Sequence, residues 1–236
     1  MPIQGDPLYW LIVGPAILIM LIAQWRMQAT FRKWGDVPNS VDLEGNQIAA
    51  RLLNAFNMPE VTVQGIRGEL TDNYNPMSNV LSLSQSTVRE ESVAAMAVVA
   101  HEVGHAQQDA QNSLLMRIRS GIVPLVHFGS QLGPLVFIAG LAAGIGWLTW
   151  IGIALFGTAF QFALVTLPVE INASNRAMEM LEQTNMLASQ RERRGARAVL
   201  TAAAWTYVAG MLNALFQVFY FISLALRGQR RGDGPN

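Results

Sequence analysis

A long stretch of this chain, residues 122–167, contains no Asp, Glu, Lys or Arg. A helix needs roughly 20 mostly apolar residues to cross the hydrocarbon core of a bilayer. The stretch is therefore about twice as long as a single crossing requires. A short glycine-rich sequence, Ala-Gly-Ile-Gly at 143–146, lies near its middle. We predict a helical hairpin in the membrane, with a turn at these glycines.

Two further segments are apolar enough to form membrane helices. Residues 8–23 meet the length requirement when Trp25 is counted as an interfacial anchor. This segment lacks a basic N-terminal region and a small-residue cleavage site, so we interpret it as a retained anchor and not as a signal peptide. Residues 203–226 form the fourth candidate and carry aromatic side chains, among them Trp205 and Tyr220, that suit the membrane interface.

The composition agrees with a membrane protein. Charged residues make up 14% of the chain and hydrophobic residues 51%, whereas soluble domains contain about 25% charged residues. The formal net charge is zero, which gives no indication of a nucleic-acid partner. Cysteine is absent, which excludes disulfides, a thiolate nucleophile and cysteine-ligated metal sites. We predict a mainly α, polytopic membrane protein with about four transmembrane helices, whose surroundings are the lipid bilayer.

The basic residues predict an orientation in the membrane. Several lie close to the ends of the predicted spans, at Arg26, Arg32, Lys33, Arg117, Arg119, Arg191, Arg193, Arg194 and Arg197. Because basic residues favour the cytoplasmic side, segments 26–120 and 169–202 are expected in the cytoplasm and the N-terminus outside. The tail, with Arg227, Arg230 and Arg231, would then lie outside if the fourth segment crosses the membrane. That segment is therefore transmembrane, re-entrant or interfacial, and the side of the tail stays open.

The polar segment between the first two spans predicts a small α+β domain. Residues 41–57 have apolar side chains at helical spacing, and Ser40 is a candidate N-cap. Residues 61–70 and 80–83 have the pattern of two short strands, which we predict to form a β-hairpin around the turn-rich sequence 72–76. Such a hairpin needs a helix to pack against. It serves either as a cover for that helix or as an edge that accepts an extended peptide.

The most informative motif is His-Glu-Val-Gly-His at 101–105, within a helical pattern that runs from residue 92 to about residue 110. Residues four apart share one face of a helix, so His101 and His105 can reach the same metal ion. Glu102 points about 100° away and can act on a metal-bound water as general base. Gly104 costs about 1 kcal/mol in a helix interior, and close approach of another segment would explain it. Coincidence is the other interpretation, but the motif uses two of only three histidines.

Two imidazoles suit zinc when a third donor completes the site. His127 lies in an apolar run, and pairing with a neighbour such as Gln131 is the better interpretation of it. Glu170 is the first acidic residue after the uncharged stretch and is the preferred candidate. Glu179 and Glu182, further along, have the pattern of a solvated helix face.

The chain resembles the YugP-type membrane zinc metallopeptidases. The resemblance rests on HEVGH at 101–105 and VEINASNRA at 169–177, with further similarity in GELTDNYNP at 68–76 and NVLSLSQ at 79–85. It covers nearly the whole chain and implies a gluzincin-like, zincin-like site. In that site His101, His105 and Glu170 bind one zinc ion and Glu102 is the general base. More distant relatives, of the CAAX-processing type, carry Asp four residues after the ligand Glu. Here Ser174 stands at that position, so Ser174 or Asn172 would orient a ligand histidine instead.

These observations together predict a membrane-embedded zinc endopeptidase of the cell membrane. Its active site faces the cytoplasm, and its substrate is a peptide or protein, including a membrane-associated one. The alternatives are a catalytically silent membrane scaffold and a metal-handling membrane protein. The predicted divisions are a transmembrane anchor (1–25), a metallopeptidase segment (26–120), a transmembrane hairpin (121–168), a cytoplasmic helix with the third ligand (169–202), a fourth transmembrane or re-entrant helix (203–226) and a polar tail (227–236).

Overall fold

The structure, a computed structural model that describes residues 5–232, is mostly helical. Its elements in chain order are α1 (Pro7–Gly35), α2 (Gly45–Ala55), β1 (Thr62–Ile66), β2 (Asn73–Asn75), β3 (Val80–Ser84), α3 (Gln85–Val88), α4 (Val93–Ala110), α5 (Leu114–Ala143), α6 (Gly146–Gln183) and α7 (Gln190–Gly232). The chain divides into two compact units. We call Met1–Ala23, Ile118–Leu167 and Thr206–Asn236 the apolar unit, and Gln24–Arg117 with Pro168–Trp205 the site unit.

The apolar unit is built from the four longest helices. Within the described residues, α1, α5, α6 and α7 are each long and apolar enough to cross a membrane. At most 22% of the most apolar stretch of any of them is buried inside the protein. Exposing that much apolar surface to water is unfavourable, whereas exposing it to hydrocarbon is not. The four helices therefore have the surface expected of the predicted spans.

The turn of the predicted hairpin is confirmed. Helix α5 ends at Ala143 and α6 begins at Gly146, and Gly144 between them has φ +67°, a conformation that favours glycine. The facing sides of the two helices carry glycines where their backbones approach closely. A Cβ added to Gly133 would lie 2.6 Å from the backbone nitrogen of Phe156. Small residues at such contacts are typical of packed membrane helices.

Helix α7 contains the fourth predicted segment. It continues without interruption from Gln190 to Gly232. Segment 203–226 therefore has no break at which the chain reverses direction, which favours the transmembrane interpretation over the re-entrant one. Helix α6 is also continuous and carries Glu170 on the same helix as the end of the uncharged stretch.

The site unit contains a three-stranded sheet with the order β1-β3-β2. Strands β1 and β3 pair in parallel, with Thr62 opposite Val80. The predicted hairpin between 61–70 and 80–83 is therefore wrong. Strand β2, from the sequence predicted as a turn, pairs antiparallel with β3 instead. Its central residue Tyr74 is buried and donates a hydrogen bond to Asp109 Oδ2 at 2.9 Å, so a contact with α4 holds this short strand in place.

The beginning of α2 also differs from the prediction. The helix begins at Gly45, and the backbone N–H of Glu44 donates to Gln47 Oε1 at 2.9 Å. Ser40 does not cap it, because the N-cap position is that of Glu44. The backbone N–H of Ser40 instead donates to Glu192 Oε1 at 2.7 Å. The preceding residues form a turn, in which Asn39 Oδ1 accepts a hydrogen bond from the N–H of Leu43.

Helix α4 lies at the centre of the site unit. Ser92 caps it by accepting a hydrogen bond from the N–H of Ala95. Most of its residues are buried, and its apolar side chains form one core with residues of α2, β3, α6 and α7. A helix buried on nearly all sides holds its side chains in fixed positions. The polar residues of α4 are consequently displayed on a rigid support.

Candidate metal centre

Helix α4 places His101 and His105 side by side, as the spacing predicts. The two ring centroids are 4.8 Å apart, with the ring planes at 84° to each other. The two residues are 9% and 5% exposed. Their positions one helical turn apart on a buried helix allow both rings to address the same point.

Helix α6 brings Glu170 to the same point. Glu170 Oε2 lies 3.1 Å from His101 Nε2 and 3.3 Å from His105 Nε2. The carboxylate is 1% exposed. One potential ligand atom from each of the three residues lies within 4.8 Å of the others. The structure thus brings together the two histidines and the acidic residue that the sequence nominated.

Gly104 explains how the two helices come so close. A Cβ built on this residue would lie 2.7 Å from the carbonyl oxygen of Ala173 on α6. Any larger residue would force α4 and α6 apart. The close approach of a second segment, predicted from the glycine alone, is confirmed.

The second ring nitrogen of each histidine contacts a polar side chain. His101 Nδ1 lies 3.2 Å from Ser174 Oγ, and His105 Nδ1 lies 2.9 Å from Gln108 Oε1. Ser174 therefore contacts one of the two candidate ligand histidines, whereas Asn172 contacts Gln108. Gln108 was missed at the level of the sequence, although its position one turn after His105 on a helix is a signal that could have found it.

Glu102 is buried beside the cluster, with 9% of its surface exposed. Burial raises the pKa of Glu102 above its ordinary value, and the charges of His105 and His101 partly offset this effect. A carboxyl group whose pKa lies above its usual range is better suited to accept and return a proton near neutral pH. Glu102 is thus placed next to the three potential ligands and is not one of that cluster.

The other candidates have different partners. Gln131 Nε2 lies 3.3 Å from His127 Nε2, as the sequence interpretation of His127 expects. Glu182 forms an ion pair with Arg193 at 2.6 Å, and Glu179 accepts a hydrogen bond from Gln183. Both acidic residues are exposed, which confirms the solvated helix face.

The cluster fits a zinc ion by the chemistry of its donors. Two imidazole nitrogens and one carboxylate oxygen are a donor set that zinc accepts in sites with an open position for water. Because the Nδ1 atoms face Ser174 and Gln108, the Nε2 atoms are those directed at Glu170. When they act as ligands, these three buried atoms all offer electron pairs, so a bound cation stabilises them better than contacts among themselves.

Comparison with known proteins identifies the class. A family described as "Putative neutral zinc metallopeptidase" matches residues 9–226, and the chain belongs to this family. The resemblance drawn from the sequence motifs is confirmed. Among curated proteins, the chain is similar to the "Putative membrane protease YugP" of Bacillus subtilis (strain 168). The two are 38% identical over 207 residues, which cover 88% of this chain and 92% of the relative. No solved structure gives a significant match.

Proposed function

We propose that this protein is a membrane-embedded zinc endopeptidase. The observation that carries the proposal is the convergence of His101, His105 and Glu170, from two separate helices, with Glu102 buried beside them. A family of zinc metallopeptidases and a relative named as a membrane protease support the same activity. The substrate class is a peptide or protein.

Each residue has a role in the proposed reaction. His101, His105 and Glu170 would hold one zinc ion per chain. A bound zinc ion lowers the pKa of a coordinated water toward 7 and polarises a carbonyl group. Glu102 would accept the proton of the attacking water and then deliver it to the leaving amine. Its buried position favours this shuttle, because burial raises the pKa of Glu102 and a carboxylate with a raised pKa is a stronger base.

A cavity of about 410 Å³ beside the cluster is a candidate site for part of the substrate. Its lining includes Ser174, whose hydroxyl contacts His101, together with Leu200 and Thr201 of α7. Apolar and polar side chains both contribute to the lining, and the volume is in the usual range of ligand-binding clefts. The outer edge of β2 is a second candidate contact, by addition of an extended peptide to the sheet.

We also propose that the protein is a multi-pass protein of the cell membrane whose active site faces the cytoplasm. Four helices are suited to crossing a bilayer within the described residues. The basic residues next to the spans are concentrated in 26–120 and 169–202, the segments that contain the cluster. Basic residues next to spans favour the cytoplasmic side.

The test of the reaction is Glu102→Gln in the full-length protein. The amide has the same shape but cannot accept the proton, so zinc content should stay unchanged while the rate of peptide hydrolysis falls by on the order of 10²–10⁴. Glu90→Gln, the same change on an exposed residue that belongs neither to the cluster nor to the lining of the cavity, is the matched control and should keep both properties. Hydrolysis by Glu102→Gln at the rate of the control would refute the proposed mechanism. Zinc binding by a wild type that hydrolyses no peptide would favour the scaffold or metal-handling alternatives.

A further inference from the structure

The amide of Gln108 has only one orientation that satisfies its neighbours. Gln108 Nε2 lies 2.9 Å from the backbone carbonyl oxygen of Val169, which can only accept a hydrogen bond. The same nitrogen donates to Asn172 Oδ1 at 2.8 Å. Both amide hydrogens are used, and Gln108 is 1% exposed, so water does not replace these partners. The oxygen Oε1 is therefore the atom that faces His105.

This orientation determines where the proton of His105 resides. Gln108 Oε1 lies 2.9 Å from His105 Nδ1 and carries no hydrogen, so the ring must donate from Nδ1. In the neutral ring, Nε2 is then the nitrogen with the free electron pair. That nitrogen is the one 3.3 Å from Glu170 Oε2. Gln108 thus presents His105 to the cluster in the form that binds a metal.

Arg176 fixes the orientation of Asn172, which is one of the two partners of the Gln108 amide. Its Nε donates to Asn172 Oδ1 at 2.8 Å, and its Nη1 donates to Gln107 Oε1 and Gln111 Oε1, each at 2.7 Å. A guanidinium group has no acceptor, so Asn172 must present its oxygen and not its amide nitrogen. Arg176 on α6 thus bridges to Gln107 of α4 and to Gln111, the residue that follows α4. The hydrogen bonds that orient Gln108 therefore connect the two helices that carry the potential ligands.

We propose that Gln108, fixed by Val169 and Asn172 and anchored through Arg176, is the positioning residue that sets His105 as an Nε2 metal ligand. The proposal rests on the zinc site of the proposed function. Partners of this kind typically change metal affinity 10- to 100-fold when they are removed. A purely structural role, in which Gln108 only joins α4 to α6, makes a different prediction for two substitutions at this position.

Gln108→Met keeps the length of the side chain but removes the acceptor, whereas Gln108→Glu keeps an acceptor for His105 Nδ1. The carboxylate of Gln108→Glu cannot donate to Val169 or Asn172, so this variant loses the contacts that join the helices. If Gln108 positions His105, the Glu variant retains the Nδ1 proton and the Met variant does not. If Gln108 only joins the helices, the two variants should behave alike.

The experiment uses full-length protein with ¹⁵N-labelled histidine, in which only three rings contribute signals. Spectra of the zinc-free protein are recorded at about pH 8.5, above the ordinary pKa of histidine, because zinc bound at Nε2 would itself keep the proton on Nδ1. Zinc affinity is measured separately by competition with a chelator. Gln183→Met, the same change on an exposed glutamine of α6, is the matched control. We expect the Nδ1 proton of His105 in the wild type and in Gln108→Glu. Gln108→Met should lose it and bind zinc 10- to 100-fold more weakly than the control.

Two results would overturn the positioning role. One is a zinc-binding wild type in which His105 carries its proton on Nε2, and the other is zinc affinity in Gln108→Met equal to that of Gln183→Met. If Gln108→Met does not fold, the positioning role is tested by the wild-type spectrum and by the zinc affinity of Arg176→Met. Arg176→Met should weaken zinc binding measurably, but less than tenfold. Affinity in Arg176→Met equal to the control would then count against the role. A wild type that binds no zinc would refute the proposed function itself, which separates the two failures.

Discussion

Substituting Gly104 by Ala tests whether the contact between α4 and α6 sets the geometry of the metal centre. Gly104 precedes the ligand candidate His105, and the atom opposite it is the carbonyl oxygen of Ala173 on the helix that carries Glu170. The added Cβ would lie 2.7 Å from this oxygen. Ordinary carbon–oxygen contacts are about 3.3 Å or longer. Relief of the overlap therefore requires a displacement of roughly 0.6 Å between the helices.

That displacement has two expected effects. Overpacking costs about 1–3 kcal/mol, and alanine regains about 1 kcal/mol through its higher helix propensity. The free energy of unfolding should therefore fall by up to about 2 kcal/mol. The second effect is on zinc, because metal–ligand distances tolerate changes of only about 0.2 Å. Moving Glu170 away from the histidines by more than this should weaken zinc binding at least about tenfold.

The assay compares Gly104→Ala with Gly157→Ala, which makes the same change in α6 where no atom lies within 4 Å of the added Cβ. Denaturant unfolding of the purified, detergent-solubilised proteins gives the stability difference, and chelator competition gives the zinc dissociation constant. The control should be as stable as the wild type or slightly more stable, with unchanged zinc affinity. Equal stability and equal zinc affinity in the two variants would show that the helix contact does not control the site.

Two other predictions concern the substrate and the membrane. Thr201→Trp should fill part of the cavity beside Ser174 and lower kcat/KM for a peptide on the order of tenfold without loss of zinc; unchanged kinetics would exclude the cavity as a substrate site. Cysteines introduced at the exposed positions Ser78 and Ala188 of this cysteine-free chain should resist an impermeant thiol reagent in intact cells, whereas a cysteine at Ile145 should react. The opposite labelling pattern would place the active site outside.

The features that were predictable from the sequence are those with a strong local signal. The uncharged run 122–167, its turn at the glycines and the helix of the HEVGH motif depend on periodicity and on residue types that have few alternatives. Gly104 predicted a close helix contact because glycine is unfavourable within a helix unless its lack of a side chain is needed. Glu170 was found by its position after the uncharged run together with the family resemblance.

The features that were missed depend on contacts between distant residues. The two asparagines of Asn-Tyr-Asn disfavour a strand. Strand β2 forms because Tyr74 is buried, with β2 paired to β3, and is hydrogen-bonded to Asp109, 35 residues away. Segments 61–70 and 80–83, which we predicted to form a hairpin, do have the residue pattern of strands. That pattern does not distinguish parallel from antiparallel pairing. Ser40 is not the helix cap, because α2 begins only at Gly45 with Glu44 at the N-cap position, and the backbone of Ser40 is hydrogen-bonded to the distant Glu192. The role of Gln108 is not visible in the sequence, because its partners Val169 and Asn172 are distant in the chain and reach its amide only in the folded protein.

The zinc content of the purified protein and of two variants tests the proposed metal centre most directly. Metal analysis of the wild type should give one zinc ion per chain. Glu170→Ala should lose most of it, because the carboxylate oxygen that lies 3.1 Å from His101 and 3.3 Å from His105 is removed. His127→Ala, which removes the histidine bonded to Gln131, should retain a full complement. Unchanged zinc in Glu170→Ala, or loss of zinc in His127→Ala, would contradict the proposed metal centre.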